Sequence, residues 1–265
     1  RDGVPSFALS TRGLVYFHVR VRTGERDLHS GLFGGAALNA LHVLLQALEA
    51  VVALPEQLRV GVVPPTEEQL ASWRELDQGA AVLAAAGAAP LDEQASDEFY
   101  LRTFASPAVD VHGIHGGEPH LQKTVLPVLA EANVSIRLAP GQDVDEIAAA
   151  FEQLLGDAAP AGAELEVERR SSAPPGLVPP DAPAVRLAQD AFERVVGRRP
   201  VLEGSGGTLP VVPALADKGV PTIITGFAVP GSNIHSPNES LLVRNIPLGV
   251  AAARETLLEF ARLPR

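Results

Sequence analysis

Leu14-Val15-Tyr16-Phe17-His18-Val19-Arg20-Val21-Arg22 alternates strictly between apolar and polar residues from Phe17 onward. A period of two makes this stretch a strand with one buried face. Outward from it, 36–52 repeats Leu38, Leu41, Leu44, Leu45 and Leu48 at helical spacing and reads as an amphipathic helix. Thr66-Glu67-Glu68-Gln69 has the capping-box form and opens a helix through about Leu76. The alanine-rich 80–89 reads as helix too. Val109-Asp110-Val111-His112 and 133–138 alternate again as strands, separated by a glycine-rich loop at 112–117, and 143–155 and 163–168 follow as a helix and a last strand. Strand, helix, strand, strand, helix, strand, with a helical insertion after the first helix, is the order of the split β-α-β ferredoxin-like unit, an α+β sandwich with one covered sheet face.

Residues 171–183, Ser-Ser-Ala-Pro-Pro-Gly-Leu-Val-Pro-Pro-Asp-Ala-Pro, are proline-rich and suit a domain boundary. A second unit follows, with a helix at 183–196 stopped by Gly197, a glycine loop at 204–207, a helix at 210–218 and a closing helix at 247–262. Its strand, Val220-Pro221-Thr222-Ile223-Ile224-Thr225-Gly226, is mostly apolar without alternation, as expected for a strand covered on both faces. Sheets usually hold about four to six strands. One strong strand among three helices therefore predicts that sequence upstream of Arg1 completes this unit, in keeping with a chain that begins Arg1-Asp2-Gly3 and holds no methionine.

The chain has 265 residues, 46% of them hydrophobic, enough for one large or two medium domains. A net charge of −11 with scattered basic residues offers no stripe for phosphates, so nucleic acid is not an expected partner. No apolar run approaches the roughly 18 to 20 residues of a membrane span, and the expectation is a soluble, cytoplasmic protein. Without cysteine, thiol nucleophiles, disulfides and thiolate zinc sites are excluded, and any metal rests on His, Asp and Glu.

His235 follows the apolar strand, where ligands of open α/β sheets gather, and its imidazole suits a metal; a hydrogen-bonded loop histidine is the alternative. Arg137 lies on a strand between Ile136 and Leu138, which point the other way, so its guanidinium either clamps a carboxylate or stands on an exposed face. Gly206-Gly207-Thr208 precedes a helix, and its amides and hydroxyl can meet an anion. It is not a P-loop, which needs lysine where there is none, nor a nucleophile elbow, since Glu203 stands where a glycine is required. His112, His115 and His120 lack helical ligand spacing, and no metal site is expected from them.

Three segments resemble the dinuclear zinc peptidases that include carnosinase, aminoacylase and glutamate carboxypeptidases, most nearly the carnosinase-like dipeptidase branch. They are Arg12-Gly13-Leu14 through Asp27-Leu28-His29-Ser30-Gly31 with Gly34-Gly35, then Lys123-Thr124-Val125-Leu126-Pro127 through Ser135-Ile136-Arg137-Leu138, and Ile234-His235-Ser236-Pro237-Asn238-Glu239. The resemblance implies a ferredoxin-like lid inserted in an α/β catalytic domain, with lids pairing as a homodimer. On that division 1–13 ends the first part of the catalytic domain, 14–172 is the lid, and 173–265 is the C-terminal part of the catalytic domain.

By the same resemblance the enzyme hydrolyses a dipeptide or related amide with a water bridging two divalent metals, zinc first, manganese or cobalt otherwise. His235 is then a metal ligand and Glu239 a carboxylate that orients it. His29 reaches the partner protomer's site and donates a hydrogen bond to the oxyanion; read from its position alone, it is a turn histidine near a helix N-terminus. Arg137 takes the substrate's C-terminal carboxylate, Thr124 supports the substrate from the lid, and Gly206, Gly207 and Thr208 meet its anionic end. The family's remaining metal ligands and its Glu base belong before the lid and do not occur in this sequence. The alternative is a non-catalytic module for dimerisation and small-molecule binding. Relatives in the carnosinase branch carry a substrate histidine near the end of the lid's last strand, where Ser171 stands here.

Overall fold

The computed structural model describes residues 3–263 and forms two compact units. Unit 1 collects the residues through Thr11, Pro64–Ala105 and those from Gly176 onward; unit 2 collects Arg12–Val63 and Ser106–Pro175. Strand β1 (Ser6–Thr11) belongs to unit 1, and β2 (Gly13–Arg22), β3 (Leu28–His29), α1 (Ser30–Phe33) and α2 (Ala40–Val52) open unit 2. Unit 1 then takes α3 (Glu67–Trp73), α4 (Gly79–Ala85) and α5 (Phe99–Phe104). Unit 2 resumes with β4 (Ala108–Gly116), β5 (Val125–Leu126), β6 (Leu129–Leu138), α6 (Val144–Ala158) and β7 (Glu164–Ala173). Unit 1 closes with β8 (Gly176–Leu177), α7 (Pro183–Val196), β9 (Val201–Ser205), α8 (Val211–Ala216) and α9 (Asn245–Phe260).

In unit 2 the antiparallel sheet runs β4-β6-β2-β7. The alternation read from the sequence becomes burial: Val15, Phe17, Val19 and Val21 join Ala130, Ala132, Val134 and Ile136 in one core with Leu44 and Leu48 of α2 and Ile147, Phe151 and Leu155 of α6. Phe17 and Phe151 stack with ring centroids 4.5 Å apart at its centre. A Cβ on Gly13 would stand 2.8 Å from the Ala173 carbonyl and 2.9 Å from Leu138 Cδ1, so only glycine fits where three strands converge. The opposite face is polar. His18 Nδ1 lies 3.1 Å from Asn133 Oδ1, and Arg20 pairs with Glu166 at 3.3 Å.

Caps set the helix starts. Asn39 Oδ1 accepts the Leu41 amide at 2.9 Å, so α2 begins at Ala40 and not at 36 as the leucine spacing suggested. Both bonds of the Thr66–Gln69 capping box are present. The expected loop at 112–117 is mostly strand, because β4 continues along β6 to Gly116 through a bulge between Val111 and Gly113.

Unit 1 holds the order β8-β1-β9, with β1 and β9 parallel. Phe7, Leu9 and Leu202 pack with Val185, Ala188 and Phe192 of α7 and Ala252 of α9. Buried Glu259 of α9 is bonded by Arg194 of α7 and by Arg262. The strand expected at 220–226 reduces to one bridge, Ile224 to Ala8, since Pro221 has no amide proton to give and the flanking residues are exposed or half-buried. The sheet is built instead on β1 and β9. The helical segment 64–105, expected inside the 14–172 domain, packs with unit 1: Leu202 donates its amide to Ser72 Oγ at 2.6 Å, and a Cβ on Gly204 would stand 2.6 Å from Phe104 Cβ. Among the described residues no helix is long and apolar enough to cross a membrane.

Candidate functional site

The short pairing of β3 with β5 sets Leu28 opposite Leu126 and His29 opposite Val125. Ser30 donates its amide to the Thr124 carbonyl at 2.9 Å, so His29 and Thr124, far apart in sequence, share one corner of unit 2. Both side chains are exposed. His29 caps α1 through Nδ1, which accepts the Gly31 amide at 3.1 Å. An imidazole nitrogen that accepts carries no proton, so the neutral ring is held as the Nε2–H tautomer. The exposed His29 ring thus keeps Nε2–H as its donor.

Arg137 sits on β6 between Leu14 and Ala108, on the face opposite the core. Beside it lies Arg12, whose Nη1 donates to the Ser106 carbonyl at 3.5 Å. Burial, and then the neighbouring Arg137 charge, pull the Arg12 guanidinium down to about 10, against an opposing pull from Asp110. Arg12, Arg137 and Asp110 thus act on one another electrostatically on this part of the sheet. Arg12 was not singled out in the sequence; its place immediately before Gly13, where the strand enters, was the available signal.

In unit 1, Gly206 lines a cavity of about 440 Å³ with Ser6, Glu203, Ser205 and Thr225. The Gly207 amide donates to Ser205 Oγ at 3.2 Å, so the loop spends part of its expected anion-binding capacity on itself. Thr208 lies just before α8, a helix of six residues. Glu203, also unflagged in the sequence, accepts a hydrogen bond from Ser6 Oγ at 2.7 Å, and burial pushes its carboxyl above the ordinary range. A carboxyl that binds its proton more tightly when folded stabilises the protein fully below its unfolded pKa, and that contribution fades as pH rises through the raised value. Replacing Glu203 by Gln is therefore expected to leave Tm unchanged near pH 4 and to raise it relative to wild type toward pH 7. Thermal unfolding at the two pH values checks this; a difference independent of pH contradicts it.

His235 is held at φ +62 in a loop that also places Asn233 at +52 and Asn238 at +63, left-handed values that Asn and His adopt more readily than most residues. The loop closes through Ser236 to Asn233 at 3.0 Å and Glu239 to Ser236 at 3.2 Å. His235 and Glu239 are both exposed. Among the described residues no three His, Asp or Glu side chains gather to hold a metal. The described residues do not by themselves fit a metal centre. His112 and His115 lie on β4 and not in a loop.

Residues 9–163, more than half of the chain, match the profile described as M20_dimer, Peptidase dimerisation domain, and the chain belongs to that family. It is 26% identical over 278 residues to the Cysteinylglycine-S-conjugate dipeptidase of Corynebacterium striatum, a match covering 98% of this chain and 58% of that protein. It is also 26% identical over 275 residues to the Beta-Ala-His dipeptidase of Homo sapiens, covering 98% of this chain and 53% of that one. The chain thus spans about half the length of the curated relatives it matches. Among solved structures, the M20 family metallo-carboxypeptidase Sso-CP2 from Sulfolobus solfataricus shares the fold with a TM-score of 0.84 at 22% identity, covering 98% of this chain and 61% of that one.

Proposed function

We propose that this chain is the ferredoxin-like lid and the C-terminal part of the catalytic domain of a homodimeric, metal-dependent hydrolase that cleaves a dipeptide or related amide. The observation that carries the reading is His29: exposed, capped at Nδ1, and left with Nε2–H as its donor. That is the group required to stabilise an oxyanion as it forms on an attacked carbonyl. In this reading His29 serves the partner protomer's site. Arg137, with Arg12 beside it, holds the substrate's C-terminal carboxylate; Thr124 steadies the substrate from the lid, and Gly206, Gly207 and Thr208 bind from the catalytic side.

Divalent metals, zinc first and manganese or cobalt otherwise, would supply the activated water. His235 would contribute one ligand and Glu239 would steady it; the described residues hold no cluster that completes the set. The dipeptidase relatives support the substrate class. A second reading, a dimerisation and binding module without turnover, is favoured by the absence, among the described residues, of any three His, Asp or Glu side chains placed to hold a metal; both hold if the parent protein is active and this stretch alone is not. The test is metal removal. Chelation is expected to abolish dipeptide hydrolysis by the intact protein and an added divalent ion to restore it, while this chain alone stays inactive. Hydrolysis that survives chelation contradicts the hydrolase reading, and turnover by this chain alone contradicts the module reading.

A further inference from the structure

On the open face of the unit 2 sheet, Arg137 and Ser135 are alternate residues of β6, about 7 Å apart along the strand. Tyr16 and Ser135 stand opposite each other in the register. The bulge in β4 leaves His112 as the extra residue between Val111 and Gly113. Its imidazole leans over this row: Nε2 lies 2.8 Å from Ser135 Oγ, and the ring is parallel to Tyr16, with 7° between planes and centroids 5.5 Å apart. Ser135 is buried, Tyr16 half-buried and His112 exposed. Two parallel rings are therefore fixed one row from a guanidinium, and the imidazole has lost its rotational freedom before any ligand arrives. The bond to Ser135 satisfies a buried hydroxyl, but that requires only a polar atom; the ring itself, on an edge strand and exposed, adds nothing to the core.

We infer that His112, braced by Tyr16 and Ser135, selects the side chain of the residue whose carboxylate Arg137 holds, favouring a planar ring over an aliphatic chain. The inference rests on the reading of Arg137 as the carboxylate clamp. A C-terminal residue anchored there reaches its side chain over the neighbouring row, where an aromatic or imidazole ring extends the existing stack. Stacked pairs are worth roughly a three- to tenfold preference.

The experiment compares kcat/KM of the intact, metal-loaded enzyme on alanyl-phenylalanine, alanyl-leucine and alanyl-glycine, for wild type and His112→Ala. The phenylalanine-to-leucine ratio is expected to fall roughly three- to tenfold in the variant, with the glycine peptide unchanged within about twofold. An equal loss on all three peptides, or an unchanged ratio, overturns the inference. Should the alanine variant not fold, His112→Gln, which keeps a nitrogen for Ser135 but no ring, reads the same ratio. The clamp is tested separately with C-terminal peptide amides. Wild type is expected to prefer the free acid and Arg137→Gln to lose that preference; if it does not, the clamp falls and the inference with it. An unchanged ratio in His112→Ala overturns the inference alone.

Discussion

Replacing His29 by alanine is expected to lower kcat of the intact enzyme by about 10²- to 10³-fold, the loss of one oxyanion donor, with little change in KM. The side chain is exposed and its bond to the Gly31 amide is local, so the variant keeps its fold. The partition between kcat and KM follows from the role: a donor aimed at charge that exists only in the transition state adds little to ground-state binding. Steady-state kinetics on one dipeptide decides it. An unchanged kcat, or a rise in KM alone, removes His29 from the chemistry.

Phe151→Ala is expected to cost about 3–5 kcal/mol. Phe151 is fully buried, stacks on Phe17 at 4.5 Å, and joins α6 to the centre of the sheet. A domain's whole stability is only about 5–15 kcal/mol, so the variant approaches unfolding of unit 2. Urea denaturation should show a lower midpoint at similar slope. A loss below about 1 kcal/mol would mean that the core of unit 2 is not organised around this stack.

Unit 2 was largely legible because its sheet has one wet face. Alternation in β2, β6 and β7 reports burial directly, and Asp143 marks where α6 begins. Strand β1 is buried at all but its first residue, so Ser6–Thr11 carries no period to read. The end of β9 hides behind Gly204 and Ser205, which read as a glycine loop in sequence and pair with β1 in space. The excursion of 64–105 into unit 1 is a tertiary event that linear order cannot display. At the site, the pairing that unites His29 with Thr124 is only two residues long on each strand, too short for any periodicity. No pattern in the sequence joins those two residues; only the resemblance to a family does. Arg12 and Glu203 escaped notice because an isolated charge in a sequence does not show whether it is buried.

Mixed dimers test most directly whether a lid histidine from one protomer completes the site of the other. His29→Ala and His235→Ala are each expected to be nearly inactive. In a heterodimer of the two, one site keeps both its metal ligand and its partner's histidine. Random reassortment should therefore recover about a quarter of wild-type activity when the two inactive proteins are unfolded and refolded together, or co-expressed. Recovery at that level is the predicted result. No recovery, with heterodimers shown to be present, would contradict the account and place His29 in its own protomer's site or outside the chemistry altogether.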